Sequence, residues 1–385
     1  MDEPNVRRRA RKSRGGSGSD RRVASLRRRV EGIDRSILRL VGERARIARD
    51  LGALKARSGS PIRVYDIEAE VLERWNRQAA RLGVDADLAR ELALRLIAAS
   101  VREQEAQRPT ASGRLRRITV VGGRGRIGSW LSRFFAAQGH EVLVHDPAGP
   151  LARFPFEPDL AQAVRAADVV VLATPLGSAP VVLRRVLGLR PRGLVFDVFS
   201  LKSHVLGLLR QAARKGQRVA SVHPLFGPGV RTLAGRVVAV CDCGSAQAAR
   251  AAAGLFAGTA LTVVRLPIEK HDAVMQYVLG LSHLVNLLFF HTLVRSGIPF
   301  ARLDRLASTT FQKQVRTARQ VALESPELYY DIQHLNTHSR SLYRLAASSL
   351  ADIRRAALAR QPKSFYRLMQ EGRAWFPQVV RELLD

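Results

Sequence analysis

The sequence predicts a three-part chain: an all-helical segment over residues 21–108, an α/β segment over 114–268 and a second all-helical segment over 269–385, behind a disordered basic tail of residues 1–20. Three observations predict it. Apolar residues in the first hundred positions recur at helical spacing. Near residue 117 the pattern switches to short β-branched runs that alternate with helical stretches. From Ile268 onward those runs cease. A length of 385 residues fits two to four domains, and 46% hydrophobic residues suffice to bury their cores.

Each element has its own justification. Val23, Leu26, Val30, Ile33, Ile37 and Leu40 follow a 3-4-3-4-3 spacing that Ile47, Leu51 and Leu54 extend, so residues 21–57 read as one helix about 55 Å long. A helix of that length cannot close a core alone, which predicts pairing with a second copy as a homodimer. Ser58, Gly59, Ser60 and Pro61 end it. Helices over about 66–82 and 85–105 follow, and 107–113 form a linker. Strands are expected at 117–121, 142–144, 169–173, 194–198, 219–222 and 237–240, in a parallel sheet covered on both faces. The apolar run 274–294 is expected to be a buried helix core.

Charge and cysteine content narrow the function. Lysine and arginine number 63 against 33 acidic residues, a net charge of +30, and only seven of the cations are lysines. Such a chain attracts nucleic acid nonspecifically. The arginines are spread along its length, however, and no zinc-finger or RNP-type motif accompanies them, so no specific nucleic-acid partner is expected. Anionic small-molecule substrates fit the charge at least as well. Cys241 and Cys243 cannot staple a protein of this size or complete a tetrahedral zinc site, which predicts reduced thiols, a cytoplasmic location and no metal. No membrane span and no secretory signal are expected, because no run of about 18 apolar residues free of charge is evident and the N-terminus is Arg-rich.

The segment from Gly123 to Gly128 reads G-x-G-x-x-G. It follows a predicted strand, opens a helix, and is followed at the end of the next strand by Asp146. That is the context of a dinucleotide site. Gly123 is expected to make the tight turn, Gly125 to let the backbone approach the pyrophosphate, and Gly128 to let helix and strand pack, with Ile127 between them. Asp146 would accept from the ribose hydroxyls and repel a 2′-phosphate, which favours NAD; Arg124 or Arg126 binding such a phosphate is the alternative. Thr174 and Pro175 end another strand at the edge that lines the ligand crevice.

His223 follows a predicted strand, its backbone fixed by Pro224 and the turn formers after it. A neutral imidazole there could take a hydroxyl proton while the adjacent carbon loses hydride. Ser200 and Lys202, at the preceding strand end, could orient that hydroxyl or an anionic group. In the first segment, the seam beyond Leu40 lands on Arg44, a charge at a core position that calls for an anion or a partner. Lys55 lies three turns further along that face. Ser100 and Gln104, spaced i and i+4, face inward from the third helix, and Glu68 starts the second.

The G-x-G-x-x-G turn, the D-x-x-S-x-K strand end (197–202), the H-P-x-F-G-P loop (223–228) and the helical C-terminal part together resemble prephenate dehydrogenase. The three helices before them resemble the all-helical type of chorismate mutase. Over about residues 21–385 the chain is similar to the bifunctional family of tyrosine biosynthesis. The resemblance implies a chorismate-mutase-like intertwined dimer, a Rossmann domain and a helical substrate and dimerisation domain. It implies that His223 accepts the ring-hydroxyl proton of prephenate and that His283 binds substrate. It further implies that Arg44 holds a carboxylate of chorismate, that Lys55 and Gln104 bond the ether oxygen, that Glu68 contacts the ring hydroxyl, and that Arg27 comes from the partner subunit. Two positions depart from the pattern. Gln312 stands where the family has a carboxylate-binding Arg, which keeps arogenate open as the substrate. Ile67 stands where an Arg often precedes Glu68, which keeps a non-catalytic helical module open.

Overall fold

A computed structural model describes residues 16–58, 65–106, 115–230, 233, 236–257, 259 and 261–376. Contacts divide the chain into two compact units, one comprising the N-terminal helices and one beginning at Arg108.

The first unit holds α1 (Gly16–Ser58), α2 (Tyr65–Leu82) and α3 (Ala86–Ala106). The first helix starts at Gly16, inside the stretch expected to be a disordered tail, and at 43 residues is about 64 Å long. The rest of that tail and the whole 107–113 linker lie outside the described residues. α3 packs on both α1 and α2. Where α1 meets α3 the backbones nearly touch: a Cβ on Gly52 would lie 2.6 Å from Gln104 Cα. The predicted seam has no cover within the chain, since Val23, Leu26, Val30, Ile33, Ile37, Leu40, Ile47, Leu51 and Leu54 are all exposed.

The second unit is a seven-stranded sheet with helices on both faces, continued by a helical layer. Its strands are β1 (Arg117–Val121), β2 (Glu141–His145), β3 (Val169–Leu172), β4 (Leu194–Asp197), β5 (Val219–Pro224), β6 (Val237–Asp242) and β7 (Thr262–Pro267). The order is β2-β1-β3-β4-β5-β6-β7. Strands β1 to β5 are parallel, but β6 runs antiparallel to β5, so the expected all-parallel sheet is corrected to a mixed one. Among the described residues no helix stands between β5 and β6, and a return without a crossover helix reverses the strand. The helices α4 (Arg126–Ala137), α5 (Leu160–Arg165), α6 (Ala179–Gly188), α7 (Leu206–Arg214) and α8 (Ala246–Gly254) complete the layers. β3, β4 and β5 are buried at every position, as central strands covered on both faces must be. One apolar cluster gathers Leu131, Phe135, Val171, Phe196 and Phe256. Another gathers Val170, Leu172, Leu183, Leu209 and Ile268. The sequence leaves β1 for β2 on one side and returns to β3 on the other, which opens a crevice at the carboxyl ends of β1 and β3.

β7 runs straight into α9 (Ile268–Met275), a π-helical turn (Gln276–Leu281) and α10 (Ser282–Arg295); α11 (Phe300–Arg305), α12 (Thr309–Ala322), α13 (Pro326–Leu335), α14 (Ser339–Leu358) and α15 (Lys363–Trp375) follow. The stretch Ile268–Arg295 is long and apolar enough to cross a membrane by length and composition, contrary to the expectation that no such run exists. It is also not the buried core expected of it. Only 22% of its most apolar window is buried, and Val274, Tyr277, Val278, Val285 and Leu288 are exposed in the single chain.

Candidate functional site

The crevice between β1 and β3 is built by glycines. Gly122 ends β1 with φ of +84°, and a Cβ there would lie 2.7 Å from the Ala173 carbonyl oxygen. The left-handed turn is therefore made by Gly122, not by Gly123 as expected. Gly123 is required for a different reason, because its Cβ would strike Val144 at 2.5 Å. Gly128 lets α4 pack on the turn, where a Cβ would sit 2.1 Å from the Gly122 oxygen. Gly125 is the N-cap of α4 and makes no side-chain cap, so no side chain there satisfies the first-turn N–H groups. Ile127 packs against the core from the first turn.

Asp146 is buried at the end of β2 and accepts from the backbone N–H groups of Arg124 and Ala148, both at 2.9 Å. Its carboxylate is thereby fixed at the crevice rim. Arg124 turns its guanidinium to the Ala148 carbonyl, and Arg126 pairs with Glu324 at 2.5 Å. Thr174 presents a buried hydroxyl oxygen with no partner, and Pro175 starts the turn behind it. A helix N-terminus without a cap, a fixed acidic residue and an unpartnered hydroxyl fit a dinucleotide with a free ribose, which is NAD.

His223 lies within β5, which runs two residues further than the predicted strand, and is buried. Phe226 of the same loop meets Trp130 of α4 edge to face at 5.1 Å, tying the histidine's loop to the dinucleotide helix. The His223 Nδ1 lies 3.0 Å from Nε2 of His271 on α9. His271 in turn places Nδ1 2.7 Å from Asp272 Oδ1. Asp272 also accepts from the backbone N–H of Lys202 at 2.9 Å, the backbone N–H of Ser203 at 2.7 Å and the Ser203 hydroxyl. Burial holds His223 well below the ordinary histidine range, and His271 and Lys202 push the same way. Burial alone would raise the Asp272 carboxyl; the hydrogen bonds from His271 and Ser203 overcome it and hold the group well below the usual range. Neither His271 nor Asp272 was among the residues singled out from the sequence.

Lys202 departs from its expected role. It is fully buried, and its Nζ donates to Asp197 Oδ1 at 2.7 Å, the Phe199 carbonyl at 2.7 Å and the Val222 carbonyl at 2.8 Å. All three ammonium protons meet protein acceptors, so Lys202 ties β4 to β5 rather than orienting a ligand. Ser200 is half-buried beside it. His283 stacks on Tyr329 with ring centroids 4.2 Å apart, and its Nδ1 is buried without a partner. Gln312 is exposed on α12.

In the N-terminal unit, Arg44 donates to the Leu96 carbonyl and to the Ser100 hydroxyl across the α1–α3 seam. Burial, and then the neighbouring Arg74, lower its pKa; burial also lowers that of Lys55. Gln104 is buried and its amide oxygen has no partner. Arg44, Ser100 and Gln104 therefore gather between two helices, with Lys55 three turns along α1. Arg27 is exposed, roughly 25 Å from Arg44 along the helix, and so stands apart from the Arg44 cluster of its own chain. The side chains of Glu68 and Ile67 lie outside the described residues.

Comparison with known proteins agrees with both regions. Residues 26–105 match the chorismate mutase type II family. Residues 152–253 match the nucleotide-binding domain of prephenate dehydrogenase, and 267–371 match its dimerization domain. The T-protein of Enterobacter agglomerans is 25% identical over 311 residues, covering 80% of this chain and 81% of that protein. A 4-amino-4-deoxyprephenate dehydrogenase of Streptomyces pristinaespiralis is 29% identical over 279 residues, covering 69% of this chain and 93% of that one. Among solved structures, prephenate dehydrogenase from A. aeolicus, in complex with hydroxyphenyl propionate and NAD+, superposes with a TM-score of 0.57 at 17% identity, over 71% of this chain and 100% of that one. Mutase helices, dinucleotide crevice and dehydrogenase helices thus follow one another in one polypeptide, and the chain belongs to the bifunctional chorismate mutase–prephenate dehydrogenase family.

Proposed function

We propose that the N-terminal helices rearrange chorismate to prephenate and that the second unit oxidises prephenate with NAD to 4-hydroxyphenylpyruvate and carbon dioxide. The observation that carries this reading is the presence, in one chain, of an unfinished polar cluster around Arg44 and a buried neutral histidine on the sheet.

The rearrangement is unimolecular and needs only a held conformer and stabilised charge on the breaking ether oxygen. Arg44 holds a substrate carboxylate, with Ser100 fixing the guanidinium. Lys55 and Gln104 bond the ether oxygen, and a bound ligand completes the hydrogen bonding of the Gln104 amide. Glu68 contacts the ring hydroxyl. Arg27 serves the site of a second copy, and that copy covers the exposed seam from Val23 to Leu40. The exposed apolar face of Ile268–Arg295 supports a second dimer contact.

In the dehydrogenase, His223 takes the proton of the ring hydroxyl. Asp146, Thr174 and the N-terminus of α4 would hold NAD, which would supply the acceptor for the hydride of the carbinol carbon. The ring–carboxylate bond breaks, carbon dioxide departs, and its electron pair makes the ring aromatic. His223 returns the proton to the ring oxygen, so no net proton is released. Ser200 and His283 bind the substrate, and Thr174 and Pro175 line the cofactor crevice. Gln312 favours a second reading of the substrate as arogenate. The buried, reduced cysteines support a cytoplasmic setting.

The test is to supply purified protein and NAD with chorismate, and in parallel with prephenate and with arogenate, while following NADH. NADH from chorismate is expected. NADH from prephenate alone would leave the helices without catalytic function, and NADH from arogenate alone would change the substrate.

A further inference from the structure

We propose that His271 and Asp272 are positioning residues that fix the tautomer of His223, so that Nε2 is the atom that takes and returns the substrate proton. The proposal rests on His223 being the base.

A chain of hydrogen bonds runs from Asp272 through His271 to His223. The Asp272 carboxylate already accepts three protons from Lys202 and Ser203. Facing it at 2.7 Å, His271 Nδ1 can only be a donor, because two acceptors would repel. His271 in its neutral form then carries a lone pair on Nε2. The nearest group to that lone pair is His223 Nδ1 at 3.0 Å, which must be its N–H. The chain of tautomers leaves the lone pair of neutral His223 on Nε2. Burial supports neutrality throughout: His223 is 4% exposed and His271 0%, and burial lowers the pKa of each. The charged groups around the pair are Lys202 and Asp197 from the β4 end and Asp272 from α9.

The arrangement has a catalytic consequence. When the substrate O–H bond breaks, its proton forms a bond to His223 Nε2 and the imidazole becomes positive. That charge faces a lone pair on His271 and, one ring further, a carboxylate. Both stabilise the transient cation without gaining the proton. When the ring oxygen recovers the proton, the His223 Nε2–H bond breaks and the original tautomer is restored. Atoms and charge balance within the site. The two added residues keep the ring from rotating, or from presenting an N–H to the hydroxyl.

The test combines kinetics with a direct view of the tautomer. In the full-length enzyme labelled with 15N-histidine, His223 is expected to carry its proton on Nδ1 and His271 on Nδ1, with assignments from H223N and H271Q. His271→Ala is expected to lower dehydrogenase kcat by about 10²-fold with little change in the KM for prephenate or in NAD affinity. His271→Gln, whose amide oxygen can accept from His223 Nδ1–H, is expected to recover much of that loss. A proton on Nε2 of His223 in the unaltered enzyme overturns the proposal, and so does an unchanged kcat in His271→Ala. If His271→Ala loses NAD affinity, the tautomer measurement on the unaltered enzyme decides alone. Retained turnover in His223→Asn sinks the base assignment itself, a different result from a failure confined to His271.

Discussion

Arg44 and Lys202 both carry a positive charge out of bulk water, and their surroundings differ in kind. Lys202 is fully buried, and each of its protons meets a protein oxygen within 2.8 Å. Arg44 is half-buried, uses one nitrogen on a carbonyl and a hydroxyl of α3, and sits near a second arginine. A cation whose donors are all satisfied internally holds elements together. A cation with donors remaining, beside another positive charge, gains from an anion. Both residues read as substrate ligands in the sequence, and only the count of acceptors around each separates them.

The strongest way to sharpen the comparison is to disable one region and read the other. His223→Asn is expected to lower the dehydrogenase rate about 10²–10⁴-fold with the mutase rate unchanged. Lys55→Ala is expected to lower the mutase rate about 10²–10³-fold and leave NADH formation from prephenate intact. A mutase rate that follows the His223 variant would break the separation of the two sites.

Next in size is a contrast in stability. Lys202→Met leaves the Asp197 carboxylate buried and unpaired, and is expected to destabilise the sheet unit by about 3–5 kcal/mol, read as a lower urea midpoint. Arg44→Met is expected to raise the KM for chorismate with little movement of that midpoint. Equal destabilisation by the two variants would remove the distinction between them.

Acid should act on the sheet unit more gently. His223 and His271 are held neutral below the ordinary value of 6.5, so the unfolded chain binds protons that the folded one does not. Their contribution is complete above about pH 6.5 and declines as pH falls toward the folded values, by at most about 1.4 kcal/mol per pH unit for each ring. Asp272 acts lower: its depressed carboxyl contributes stability above about pH 4, and this is lost as pH falls further. Urea midpoints at pH 7.5 and 5.5 check the histidine effect. The smallest effect is expected from Arg126→Ala, which removes the exposed pair with Glu324 and should cost about 1 kcal/mol or less.

Much of this molecule was legible because periodicity and glycine spacing are local. The helical spacing of α1, the sheet strands and the glycine-rich turn between β1 and α4 follow from neighbours in sequence. The glycine roles were harder to read, since Gly122 takes the left-handed turn and only the third dimension shows that Gly123 must clear Val144. The reversal at β6 depended on a connection whose described residues form no crossover helix. His271 and Asp272 escaped notice because their partners lie 48 residues away on β5 and about 70 residues away beyond β4. Their one local signal was a His-Asp pair opening an apolar helix.

Cys241 and Cys243 sit fully buried on or just beyond β6, whose partner strand carries His223. Burial pushes the Cys241 thiol up to about 12, so almost none of it is thiolate at neutral pH. A thiol-directed alkylating reagent should therefore pass over the native enzyme and react only when this strand pair parts. The chain thus holds a chemical clock for the opening of its own catalytic edge, read by mass spectrometry with no added label site.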